Sequence, residues 1–206
     1  SFVKWNIEDD ENIVAHFHEW MTGSGVLYLK ENCPQIATAF TTHATYLGRA
    51  ISGNGLALYN DLQTFEPAEM ANRFNIVSQQ SMEYNAAQSA DVFTTVSEVT
   101  AEECKQFLQR EPDVITINGI NETYVTDENT ASEKRKVARE KITEILNILS
   151  GTKASDDAFY ILNSGRYEFK NKGIDLFINA LGKLNKSAEL NKEIVAVIAV
   201  PANISG

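Results

Sequence analysis

Residues 158–200 constrain the fold more tightly than any other part of this chain. Ala158-Phe159-Tyr160-Ile161-Leu162 is an apolar run of strand length. Ile174, Phe177, Ile178 and Leu181 follow at helical spacing, which predicts a helix beginning near Asn171. Ile194-Val195-Ala196-Val197-Ile198-Ala199-Val200 is apolar at every position, the pattern of a central parallel strand covered on both faces. Strand, helix and strand at this length make a parallel βαβ unit, so the expected class is α/β with parallel sheets.

The loop inside that unit reads Gly165-Arg166-Tyr167-Glu168-Phe169-Lys170-Asn171-Lys172-Gly173. Strand-to-helix loops are where α/β sheets bind their ligands. Arg166 and Lys172 lie there beside the unpaired N–H groups and positive dipole end of the coming helix, an arrangement suited to a diphosphate. Spacing alone leaves a second reading open, in which both cations simply pair with surface carboxylates.

The earlier part repeats the alternation. Residues 13–18 and 36–42 read as strands, with a helix from Trp20 to Lys30 whose Gly23 and Gly25 allow close packing on the sheet. Residues 56–90 carry no strand signal. From Pro67 they look helical, with Met70, Phe74, Val77 and Met82 along one side. Residues 91–96 and 113–116 read as further strands, the latter turning at Asn118-Gly119. Thr100-Ala101-Glu102-Glu103 and Thr130-Ala131-Ser132-Glu133 read as capping boxes, and Gly151 as the stop of the second helix. The polar stretch from Tyr124 to Ala131 is the expected linker. Six strands would also fit a single doubly wound domain. Lys134, Arg135, Lys136, Arg139 and Lys141 form either an anion patch or, as such runs usually do, a solvated helix face.

Composition narrows the function. The chain has 206 residues and a formal net charge of −10, which opposes nonspecific binding to nucleic acid. No apolar run approaches the roughly 20 residues of a membrane span, and Ser1 to Asp10 lack a signal-peptide layout. Cys33 and Cys104 are not spaced as a metal site, and the expected compartment is the cytoplasm. The sequons at Asn121 and Asn203 are then chance matches.

Candidate chemistry also falls early in the chain. His16 and His18 are two apart and face the same way on a strand, and with Glu19 nearby a metal site is conceivable on this His-x-His spacing, although no third ligand is visible. His43 closes a predicted strand and is either structural or part of a pocket with Arg49 six residues on. Gly-x-Gly-x-x-Gly, Walker and Gly-x-Ser-x-Gly motifs are absent from the sequence.

Five segments carry a resemblance. They are His16-Phe17-His18-Glu19-Trp20, Thr41-Thr42-His43-Ala44-Thr45 with Leu47-Gly48-Arg49, Val92 to Ser97, Asn118-Gly119-Ile120-Asn121, and Gly165 to Gly173. Together and in this order they resemble glycogen synthases of the animal and fungal type. The resemblance implies UDP-glucose as donor, an α-1,4-glucan as acceptor, retention of anomeric configuration and no metal. It also implies two Rossmann-like domains facing each other across a cleft, the GT-B arrangement. Residues 1–124 would be the later part of the N-terminal, acceptor-side domain, and residues 125–206 the start of the nucleotide-sugar domain. By motif, Arg166 and Lys172 would hold the donor diphosphate and stabilise departing UDP, with Gly165 in the same donor cleft. His43 would lie beside the transferred glucose as the third catalytic residue, and Arg49 would line the cleft. Residues 16–20 would form a structural floor.

The departures are specific. Ile117 stands where the family has Pro, and residues 67–90 match least, Glu83 and a few alanines apart. The family's Gly-rich donor loop and later pair of glutamates are not in this sequence. The chain is therefore expected to be a central fragment, inactive by itself, with a homo-oligomer left open for the full-length protein. Two other readings remain: a related GT-B transferase with another acceptor, and a non-catalytic nucleotide- or glucan-binding module.

Overall fold

A computed structural model describes residues 12–187 and 191–201, so Ser1 to Asp10 and Asn203 lie outside the described residues. The chain divides at Asn118 and Gly119 into two compact units.

The first unit is a parallel four-stranded sheet. Its strands are β1 (Val14–His18), β2 (Ala37–Thr42), β3 (Val92–Thr95) and β4 (Val114–Ile115), in the order β1-β2-β3-β4. Helix α1 (Glu19–Asn32) crosses from β1 to β2. Helices α2 (Tyr46–Gly53), α3 (Pro67–Arg73) and α4 (Val77–Ser89) connect β2 to β3, and α5 (Glu98–Phe107) connects β3 to β4. Register places Phe40 opposite both Phe17 and Phe93. Phe40 and Phe93 are fully buried with Val26, Ala86, Ala87 and Cys104. A second cluster joins Leu47, Ile51, Met70 and Phe107.

Small residues set the spacing of α1. A Cβ on Gly23 would stand 2.9 Å from the Ala86 Cβ of α4, so this glycine fits a helix–helix contact rather than the sheet. A Cβ on Gly25 would overlap the Phe17 ring of β1, as close packing on the sheet requires. Gly25→Ala is expected to cost about 1–3 kcal/mol through overpacking. Urea unfolding with an unchanged midpoint would contradict that.

Several boundaries differ from the sequence expectation. The helix expected from Pro67 is two helices, because Asn75 adopts a left-handed φ of 57° and breaks the ladder. Met70 is consequently buried while Val77 is 48% exposed, so no single stripe runs through both. Helix α5 begins three residues before its expected box: Ser97 is the cap and accepts a bond from the Thr100 N–H at 3.2 Å. Asn118-Gly119 forms no turn, and the chain runs on through an exposed Ile117 into the second unit.

The second unit pairs β5 (Phe159–Ser164) in parallel with β6 (Ile194–Ala199). Helix α6 (Glu128–Ser150) precedes β5, and α7 (Ile174–Leu184) lies between the strands. Asp127 caps α6 through a 2.7 Å bond from the Asn129 N–H, so the second capping box and much of the expected linker are helix. Gly151 ends it as expected, at φ 68°. Arg139 is not merely a solvated cation. It donates to the Asp156 and Ala158 carbonyls and lies 4.5 Å from the centre of the Tyr160 ring. Among the described residues β6 pairs only with β5, which leaves Ile198 38% exposed, and so it is not a central strand there. Among the described residues no helix is long and apolar enough to cross a membrane.

Candidate active site

Residues 165–173 form a turn wound on itself between β5 and α7. The Glu168 N–H donates to the Arg166 carbonyl at 2.7 Å, and the Lys172 N–H to the Glu168 carbonyl at 2.9 Å. Gly173, with φ 63°, hands the chain into α7, which starts at buried Ile174, three residues after Asn171. A side chain would strain this left-handed backbone, so glycine fits the junction. The Arg166 guanidinium is 3.0 Å from the Glu168 carboxylate, and the Arg166 side chain is 58% exposed. For Arg166, this is the surface pairing that spacing had left open for both cations. An exposed pair of this kind is worth under about 1 kcal/mol, so a diphosphate can displace it. Lys172 is exposed and runs beside Gly165, whose added Cβ would lie 3.8 Å from the lysine Cγ and Cδ. Lys170 is used internally, bonded to Asp175 at 2.7 Å and holding that carboxyl below its usual range.

The first unit gathers polar groups at the carboxyl ends of its strands. His43 follows β2 and is gripped twice. Its N–H donates to Glu19 Oε1 at 3.0 Å, and its Nε2 lies 3.1 Å from His18 Nδ1. The His16 ring centre is 4.1 Å from that of His18, and His16 Nε2 is 2.7 Å from Thr41 Oγ1. Partial burial lowers the His18 pKa, positive charge on His16 and His43 adds to this, and Glu19 opposes it. Among the described residues no group of three or more His, Cys, Asp or Glu is placed to hold a metal ion.

Two carboxylates beneath this loop fix its ends. Glu83 on α4 is fully buried, accepting from Thr42 Oγ1 at 2.6 Å and from the Tyr46 N–H at 2.9 Å. Burial pushes its pKa up to about 7, the two hydrogen bonds oppose that shift, and the charges of Glu19 and Glu103 add to it. Glu103 on α5 accepts from Thr45 at 2.6 Å and from Tyr59 at 2.8 Å. A Cβ on Gly48 would overlap both Glu103 and Thr45, which accounts for glycine there. Because Glu83 already occupies the N-terminus of α2, that terminus is closed to an outside anion. Arg49 lies half-buried on α2, its N–H bonded to the Thr45 carbonyl at 3.1 Å.

Thus Gly165, Arg166 and Lys172 share one loop of the second unit, whereas in the first His43 lies on the β2–α2 connection and Arg49 on α2 itself. Sequence reading took Glu103 for part of a cap and gave Glu83 no role. A signal existed for both. Thr100, Glu103, Cys104 and Phe107 fall at i, i+3, i+4 and i+7, as do Glu83, Ala86, Ala87 and Ala90, so each glutamate sits on a core-facing helical stripe.

The glycogen synthase family profile matches residues 2–205. The chain is 36% identical to a glycogen [starch] synthase of Neurospora crassa over 201 residues, covering 95% of this chain and 28% of that protein. It is 38% identical to glycogen [starch] synthase isoform 2 of Saccharomyces cerevisiae, covering 96% of this chain and 29% of the relative. With the Caenorhabditis elegans glycogen [starch] synthase the identity is 38%, covering 92% and 30%. The chain thus spans less than a third of the length of these curated relatives. With a match over nearly its whole length, the chain belongs to the glycogen synthase family.

Proposed function

We propose that the full-length protein carrying this chain transfers glucose from UDP-glucose to the non-reducing end of an α-1,4-glucan, with retention of configuration, in the cytoplasm. Residues 1–124 and 125–206 are assigned to the acceptor-side and nucleotide-sugar domains of a GT-B enzyme. The observation that carries this reading is the pair of cations, Arg166 and Lys172, on the carboxyl-end loop before α7 in a member of this family.

As the bond from glucose C1 to the donor phosphate breaks, negative charge grows on departing UDP. Preorganised cations that meet this charge lower the barrier, and the reading gives that role to Arg166 and Lys172 rather than to a metal. Gly165 leaves room along the Lys172 stem. The family resemblance gives His43 a role beside the transferred glucose and Arg49 a role in lining the donor cleft.

The test is transfer from UDP-[14C]glucose to glycogen by the full-length protein. Incorporation into amylase-sensitive product is expected. Donor consumption with no label in glucan would favour a related transferase with another acceptor. His43→Ala is expected to leave UDP affinity within about twofold while lowering transfer by roughly tenfold or more, the scale of one lost contact made in the transition state. An undiminished rate would remove His43 from the site.

A further inference from the structure

We propose that His18 is a positioning residue for the transfer, holding the His43 ring in one rotamer and one tautomer so that Nδ1 of His43 is the atom left to meet the substrate. The inference rests on the placement of His43 beside the glucose.

Its grounds are geometric. Strand β1 ends at His18, which stands in register with Thr41, so the chain leaving β2 carries His43 across to it. The 3.1 Å separation of His18 Nδ1 and His43 Nε2 is a hydrogen bond with one proton between two ring nitrogens. An imidazole has two nitrogens, and committing Nε2 leaves Nδ1 as the remaining polar atom of the ring. His18 is itself held: its carbonyl accepts from Thr22 Oγ1 at 2.6 Å, and its ring lies against that of His16. His16 in turn is tied through Thr41 to Thr94 of β3, the two hydroxyl oxygens standing 2.6 Å apart.

A second, independent observation concerns the next residue. Glu19 has φ 63°, a left-handed conformation at a residue that is neither glycine nor asparagine, and its carboxylate accepts the His43 N–H. Such strain persists only where surrounding structure over-determines it, and it clusters at functional sites. The last residue of β1 and the first of α1 therefore grip one histidine, by ring and by backbone, at the carboxyl edge of a parallel sheet.

Three variants of the full-length protein test this: His18→Phe, His18→Asn and the double variant of His18→Phe with His43→Ala. His18→Phe keeps a ring but offers no nitrogen, whereas His18→Asn retains polar atoms near the position of Nδ1. His18→Phe is expected to lower kcat about tenfold, the scale of one lost hydrogen bond, with UDP affinity unchanged. His18→Asn is expected to recover most of that loss. The double variant is expected to be no slower than His43→Ala alone, because residues acting as a unit are not additive.

The second readout is the nitrogen chemical shift of His43 in 15N-histidine-labelled protein, assigned with His43→Ala. One fixed tautomer is expected in the wild type and an exchanging mixture in His18→Phe. A His43 tautomer unchanged by His18→Phe would overturn the proposal, as would a double variant slowed by the full His18 effect. If His43→Ala itself transfers at the wild-type rate, the placement of His43 beside glucose fails instead. The hold of His18 on His43 is then decided by the tautomer alone.

Discussion

Stability is expected to fall by about 3 kcal/mol as pH rises from 4.5 to 7 through Glu83 alone, since its folded pKa is raised from 4.5 to about 7. The sign follows from proton counting. In that window the folded chain holds a proton on Glu83 that the unfolded chain has released, so raising the pH favours unfolding. Burial is the leading cause: Glu83 is fully enclosed, and it accepts from one hydroxyl and one backbone N–H. His18 works in the opposite direction. Its lowered pKa adds stability as pH rises through the usual imidazole range. Asp91 acts only below this window, because bonding to Lys30 holds its carboxyl at about 2.

Glu83→Gln isolates the effect. The amide oxygen can accept from the Tyr46 N–H while its nitrogen donates to the Thr42 hydroxyl, which can turn its own proton to the Ala44 carbonyl 3.3 Å away. The difference in unfolding free energy between wild type and Glu83→Gln, measured in urea at pH 5 and pH 7.5, should change by about 3 kcal/mol. A difference independent of pH would mean that Glu83 is ionised throughout. Because Glu83 binds both Thr42 and Tyr46, the same titration reaches the loop that carries His43.

Arg166→Ala and Lys172→Ala are each expected to lower kcat/KM for UDP-glucose by about a hundred- to a thousandfold, the scale of about 3–4 kcal/mol for removing one group that stabilises developing charge. Thermal stability should scarcely move. Both side chains are exposed, and the Arg166–Glu168 pair is a solvent-screened contact worth under about 1 kcal/mol. Arg166→Lys should not restore the rate, because an ammonium cannot present the two parallel donors of a guanidinium to phosphate. Rate assays beside thermal scans check this. Variants that unfold early yet retain kcat/KM would make the two residues structural.

How much of this was legible in the sequence depends on what each signal measures. All six strands were legible because apolar and β-branched residues predominate in them, as in the Ala-Thr-Ala-Phe-Thr-Thr of β2 and the Ile-Val-Ala-Val-Ile-Ala of β6. Boundaries were less visible where two residues compete to cap a helix. Ser97 and Asp127 supply an oxygen three and two residues ahead of the N–H they bind, so the downstream Thr-x-x-Glu patterns fall inside helices. The break at Asn75 left no glycine or proline to mark it. For the candidate site, the loop carrying Arg166 and Lys172 could be placed from spacing alone, whereas its internal pairing with Glu168 could not. The His18–His43 bond was hidden for a different reason. It joins residues 25 apart whose meeting depends on strand register, which no local pattern encodes.

The central claim is that the loop between β5 and α7 holds a diphosphate. Calorimetric titration of the full-length protein with UDP, without added metal and beside Arg166→Ala, tests it most directly. The expected result is saturable wild-type binding, weakened roughly tenfold or more by Arg166→Ala, as the loss of a charge-assisted hydrogen bond requires. Equal affinity in the two proteins would contradict it, and the loop would then be only a well-tied turn between a strand and a helix.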